Sequence, residues 1–194
     1  MKVVGLIAEY NPFHNGHKYH IEKAREITGA DAVIVVMSGN FVQRGAPAIM
    51  PKHLRTEAAL RAGASLVIEL PVSCATGSAE FFAFGAVSLL DKLGCVDSIC
   101  FGSECGDIKV LQNLARIIHD EPLEYRSYLN QYLRQGNSFP LARQKSMSDY
   151  LKSDIVNEIL SEPNNILGIE YLKALYRLES KMIPYTITRI NSHY

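Results

Sequence analysis

Three of the six histidines in this 194-residue sequence fall within one seven-residue window, at His14, His17 and His20 of EYNPFHNGHKYH. His14 and His17 bracket Gly16 as H-x-G-H, with an apolar run before them and helical spacing after. Where a strand gives way to a helix, the free N–H groups and dipole of the helix favour an anion. A pair of imidazoles there adds N–H donors suited to phosphate oxygens that gain charge in a transition state. Gly16 is expected to let the backbone approach closely. With this composition the motif arises by chance ~0.01 times per chain, the plainer alternative being one structural and one surface histidine. His20, one turn beyond Gly16, is expected on the helix surface or behind the site.

The elements that must position this pair alternate along the chain. KVVGLIA (2–8), DAVIVVM (31–37), SLVIEL (65–70) and DSICFG (97–102) are short, apolar and rich in β-branched residues, and each predicts a strand buried on both faces. Between them, residues 16–28, 51–63 and 77–94 carry apolar positions at helical spacing and stop at Gly29, Gly63 and Gly94. The pattern predicts an α/β, doubly wound, Rossmann-like domain over residues 1–110, with a parallel sheet and right-handed crossovers. Ligands bind past the carboxyl ends of such strands. Here those ends are the polar, glycine-rich AEYNPFHNGH, SGNFVQRGAPAIM, LPVSCATGS and FGSECGD. Residues 111–182 read as a helical elaboration punctuated by Pro122, Gly136, Pro140 and Pro163. Residues 183–194 read as a returning strand, IPYTITRI, and an abrupt end at NSHY, which suggests a fragment of a longer protein.

Lys plus Arg and Asp plus Glu number 20 each, so no overall basicity announces a nucleic acid or an anionic membrane. Any RNA contact has to come from a local patch. The first ten residues lack a small-residue cleavage site and meet charge at Glu9, and no apolar run approaches a membrane span, so a cytoplasmic protein without a membrane partner is expected. Cys74, Cys95, Cys100 and Cys105 show no C-x-x-C spacing, which argues against a metal–thiolate site. Nothing in the sequence fixes an oligomeric state.

His14-Asn15-Gly16-His17 after an apolar first strand resembles the HIGH signature of the nucleotidyltransferase superfamily. More narrowly, IAEYNPFHNGHKYH, MSGNFVQRG, GASLVIELPV, ATGSAEFFAFGAVSLL, FGSE and PNNILGIEYLKAL together resemble the bacterial tRNA(Met) cytidine acetate ligase family. The resemblance implies an enzyme that activates acetate with ATP to acetyl-adenylate, releasing pyrophosphate, and acetylates N4 of the wobble cytidine of elongator tRNA(Met). It implies His14 and His17 as the catalytic pair. The family's ATP-binding segment falls on Ile7, Ala8, Glu9, Tyr10, Asn11, Pro12, Phe13, His14, Asn15, Gly16, His17, Lys18, Tyr19 and His20. Gly102 in FGSE, Asn164 or Asn165 in PNNIL and Arg189 in ITRI match its other nucleotide contacts. Gly102 equally suits a strand-ending turn, Asn164 a helix N-cap, and Arg189 a solvated strand face. Magnesium is expected through the phosphates, with Glu9 and Glu104 as nearby carboxylates. H-x-G-H alone also fits a small-molecule adenylyltransferase of the phosphopantetheine or nicotinamide-mononucleotide type.

Two further stretches bear on substrates. Asn40 and Arg44 in MSGNFVQRGAPAI follow the second strand and are candidates for the acetate or phosphate side, although a structural turn is an alternative. The family usually reads QRGEPA here; Ala46 removes that carboxylate. Arg126, Arg134, Arg143, Lys145 and Lys152 lie among Tyr125, Tyr128, Tyr132 and Tyr150, which suits contact with the tRNA. Yet Tyr125, Tyr128 and Tyr132 also follow the spacing of a core-facing helix stripe. KSMSD (145–149) looks like a second phosphate motif but lies in the helical region, where it reads as coincidence.

Overall fold

Five parallel strands in the order β3-β2-β1-β4-β5 form the sheet in a computed structural model that describes residues 1–189. β1 (Val3–Ala8), β2 (Ala32–Ser38), β3 (Leu66–Leu70) and β4 (Ser98–Ser103) are the four apolar runs, and β5 (Ile183–Thr188) returns beside β4 with Ser98 opposite Ile183. The order reverses between β1 and β4, which opens a crevice at their carboxyl ends.

Strand alternation divides the core in two. Val4, Leu6, Val33, Val35 and Cys100 face α1 (Asn15–Thr28) and α2 (Lys52–Arg61), meeting Ile21, Ala24 and Ala59. Val3, Ile34, Val36, Ile99 and Phe101 face the other layer, which includes α4 (Ala79–Lys92), α5 (Ile108–Asp120) and α9 (Pro163–Arg177). Three further helices, α6 (Leu123–Arg134), α7 (Phe139–Leu151) and α8 (Ile155–Ser161), lie between α5 and α9 in the chain. The helical stretch 77–94 is preceded by a separate short turn, α3 (Val72–Ala75).

β3 departs from the expected burial on both faces. It is an edge strand, paired only with β2, and Leu66 is 45% exposed. On the other side of the sheet α9 lies close to β4, because Gly168 stands over Phe101. A Cβ at Gly168 would sit 2.5 Å from Phe101 Cε2. Gly168→Ala is therefore expected to lower the unfolding free energy by about 1–3 kcal/mol in a urea titration, as the helix is pushed off the sheet.

Candidate active site

The chain leaves β1 through Tyr10, which holds a left-handed φ of 51°, and enters α1 at Asn15. His14 is the helix cap: its Nδ1 accepts the Gly16 amide at 3.1 Å. His17 reciprocates, its Nδ1 accepting the His14 amide at 3.2 Å. This is a capping box built from two imidazoles in place of a hydroxyl and a carboxyl group. A neutral imidazole that accepts at Nδ1 carries its proton at Nε2. Both rings are thus set as Nε2–H donors turned away from the backbone they cap.

Packing holds the pair in place. The two rings stack at 3.7 Å, and His17 meets the edge of Tyr10 at 4.8 Å and Phe13 at 5.6 Å. Gly16 makes room for a side chain as well as for any ligand, since a Cβ there would lie 2.9 Å from His14 Cε1. Burial, then the neighbouring His14, His20 and Arg189, push the His17 pKa down to about 3. His17 is neutral at physiological pH. No acidic residue occupies the first turn of α1, so its positive end is left for an external anion.

His20 is not a helix-surface residue. Its Nε2 is shut off from solvent without a hydrogen-bond partner among the described residues, and burial followed by the charge of Arg189 lowers its pKa to about 4. It lies beneath the site, where the α1 face turns to β4.

Gly102, Asn164 and Arg189 converge beside the crevice. The Arg189 side chain lies across Gly102, where an added Cβ would be 3.2 Å from Arg189 Cγ. Arg189 Nη1 donates to Asn164 Oδ1 at 3.0 Å, and Asn164 Nδ2 donates to Glu104 Oε1 at 2.5 Å. Asn164 does not cap α9, because Glu104 does so from the β4 loop, accepting the Asn165 amide at 2.8 Å. Asn165, 1% exposed, spends its polar atoms on structure. Its Oδ1 accepts from Glu104 N and Cys105 N, and its Nδ2 donates to Ile159 O. It braces the loop that carries Glu104 instead of facing the crevice.

Within Ile7 to His20, several residues serve the scaffold. Ile7 and Ala8 pair with Val36 and Met37. Glu9 Oε1 accepts the Gln43 amide at 2.6 Å and Asn11 Oδ1 accepts the Ile49 amide at 2.7 Å, which tie the 40–49 loop to the end of β1. Lys18 and Tyr19 lie on the exposed side of α1. Asn40 receives the Ala48 amide on its main-chain oxygen, and Arg44 occupies the exposed tip of the loop with φ 75°. Among the described residues neither side chain has a hydrogen-bond partner.

Sequence reading missed Arg55. It lies with Ala59 on the buried face of α2 and reaches the ends of β1 and β2. Its position four residues before Ala59, on the apolar stripe, was the available signal.

The basic helical stretch is largely occupied with internal contacts. Arg143 pairs with Glu170 at 2.8 Å and Arg126 with Glu121 at 3.3 Å. Tyr125 is buried, Tyr132 donates to Asp149, and Lys145 donates to Asn137. Arg134 and Lys152 remain on the surface. KSMSD is a continuous part of α7, with Ser146 buried.

A family profile described as HIGH Nucleotidyl Transferase matches residues 1–194. The chain is 58% identical over 195 residues to the tRNA(Met) cytidine acetate ligase of Acetivibrio thermocellus, covering 100% of the chain and 47% of that protein. It is 51% identical over 195 residues to the tRNA(Met) cytidine acetate ligase of Clostridium novyi, covering 100% of the chain and 49% of that protein. The crystal structure of Thermotoga maritima TmcAL bound with alpha-thio ATP superposes with a TM-score of 0.96 at 45% identity, over 100% of this chain and 48% of that one. The chain spans about half the length of the curated relatives it matches.

Proposed function

The chain belongs to the HIGH nucleotidyltransferase family, and on that premise we propose that it supplies the nucleotide site of an enzyme that activates acetate with ATP and acetylates N4 of the wobble cytidine of elongator tRNA(Met). The observation that carries the chemistry is the histidine capping box. With both Nδ1 atoms accepting backbone amides, His14 and His17 are left with two Nε2–H donors at the open end of α1. The choice of acetate and tRNA(Met) rests on the ligases of Acetivibrio thermocellus and Clostridium novyi, and ATP on the Thermotoga maritima protein bound with alpha-thio ATP.

In this reading the triphosphate lies over the start of α1, with Gly102, Asn164 and Arg189 along the nucleotide. An acetate oxygen attacks the α-phosphorus as the bond to the pyrophosphate oxygen breaks, giving acetyl-adenylate and pyrophosphate. The Nε2–H groups of His14 and His17 donate to the phosphate oxygens that gain charge. Neutral donors serve here without accepting the reaction's protons. The cytidine N4 amine then attacks the acetyl carbonyl and AMP leaves. Positioning supplies much of the rate, because phosphoryl chemistry asks little covalent work of the protein.

The carboxylates nearby do not fit a protein-held magnesium. Glu104 is spent on Asn164 and Asn165, Glu9 on Gln43, and the described residues contain no cluster of three metal-ligating side chains. Magnesium would then come on the phosphates. ATP and tRNA as substrates imply a cytoplasmic enzyme. Among the described residues no helix is long and apolar enough to cross a membrane.

The test is ATP–pyrophosphate exchange. Exchange that needs acetate and no phosphorylated acceptor is the expected result, and dependence on a phosphate monoester would instead indicate a small-molecule adenylyltransferase. With a protein of the relatives' full length, labelled acetate should appear on the wobble cytidine by mass spectrometry. Unlabelled tRNA would overturn the assignment.

A further inference from the structure

Ladder pairing between β1 and β2 ends at Ala8 opposite Met37, and beyond that point the two chains part beside the crevice. Parting strands leave carbonyls that the sheet can no longer satisfy. Arg55 fills that fork. It is 0% exposed, and its guanidinium donates only to main-chain oxygens: Nε to Met50 O at 3.0 Å, Nη1 to Glu9 O at 2.6 Å and to Ser38 O at 3.0 Å, and Nη2 to Gly39 O. Burial pushes the Arg55 pKa down from its ordinary value, and the nearby Glu9 and Glu69 carboxylates partly oppose that by favouring the charged form. A buried cation is costly to desolvate, and here that cost is offset by four carbonyl acceptors that an apolar side chain would leave unpaired.

The four carbonyls belong to three segments that frame the site. Glu9 is followed directly by Tyr10, whose ring edge holds His17. Ser38 and Gly39 lead into the 40–49 loop, which is tied back to Glu9 through Gln43. Met50 closes that loop ahead of α2. One planar group thus fixes the distance between the chain that enters the histidine motif and the loop across from it. Lysine keeps the charge but has one nitrogen, which cannot span a fork of this width.

We infer that Arg55 is a positioning residue of the nucleotide site, setting the placement of His14 and His17 through the parted ends of β1 and β2. The inference rests on the nucleotide-site reading for its effect on ATP, but not for its effect on the histidines. Arg55→Lys is compared with the wild-type chain and with Met147→Ala, a core truncation in the helical layer. ATP affinity is measured by titration below the melting temperature, and the nitrogen-15 signals of the His14 and His17 rings report tautomer and surroundings.

Arg55→Lys is expected to weaken ATP binding by about tenfold to a hundredfold, as misplacement of a binding group does. It should also shift both imidazole signals. Met147→Ala should lower the melting temperature and do neither. Wild-type affinity together with unmoved imidazole signals in Arg55→Lys would overturn the inference, leaving Arg55 a purely structural residue. If the wild-type chain itself fails to bind ATP, the nucleotide reading falls, and the imidazole signals still decide the role of Arg55. Should Arg55→Lys not fold, the wild-type guanidinium N–H signals replace it. Protection from solvent exchange and a shift on adding ATP support the clamp; free exchange or no shift overturns it.

Discussion

Replacing His14 with asparagine is expected to leave the melting temperature close to wild type while lowering acetate-dependent ATP–pyrophosphate exchange by about 10²–10³-fold. The two effects separate because His14 does two jobs with two different nitrogens. Its Nδ1 caps α1 by accepting the Gly16 amide. An asparagine Oδ1 performs that task as well as any residue. The Nε2–H donor has no counterpart on asparagine at the same reach, so the charge on the phosphates goes unanswered. His14→Ala loses both functions and should add about 1 kcal/mol of destabilisation to the same loss of rate. At the other end of the box, His17→Gln keeps a residue type that returns a bond to the N-cap amide. It forfeits the ring packed on Tyr10 and Phe13. Differential scanning calorimetry and the exchange assay, run on the same preparations, check this. Exchange at the wild-type rate in His14→Asn would reduce the motif to a helix cap.

How much of this was legible in the sequence depends on whether a residue's partner leaves a mark there. The strands did, because burial between two helical layers demands unbroken apolar runs, and the H-x-G-H pair did, because a glycine between histidines at a strand end is uncommon. β3 carries the same apolar signature as its neighbours, yet position within a sheet is set by pairing order, which composition does not record. Arg55 was hidden for a related reason. Its partners are main-chain oxygens, and every residue has one. Asn164 and Asn165 are adjacent in sequence but about 100° apart around α9. Asn164 therefore reaches Arg189 and the Glu104 carboxylate, whereas the Asn165 side chain turns to the Glu104 and Cys105 amides. The cap that Asn164 seemed suited to make went to Glu104, sixty or so residues earlier in the chain, through contact that only the folded sheet creates.

The histidines also predict how the fold responds to acid. His17 and His20 have pKa values lowered to about 3 and about 4, below the ordinary 6.5, chiefly by burial. The unfolded chain therefore takes up protons near pH 6.5 that the folded chain refuses. Stability rises with pH wherever the unfolded state binds more protons. The contribution of these two groups is thus fully present above about pH 6.5, declines as the pH falls through the window toward 4, and is exhausted near pH 3. Each refused proton is worth about 1.4 kcal/mol per pH unit. Since the His17 ring is only half enclosed, the pair should give a slope on the order of 2 kcal/mol per pH unit between about pH 6 and 4. Protonating His17 would also turn its Nδ1 from acceptor to donor and break the capping box, so the site should fail with the fold. Urea unfolding between pH 7 and 4 measures the slope, and His20→Gln should remove about one proton's share of it. A stability flat from pH 7 to 5, or a slope indifferent to His20, would mean that these rings reach water in the folded protein.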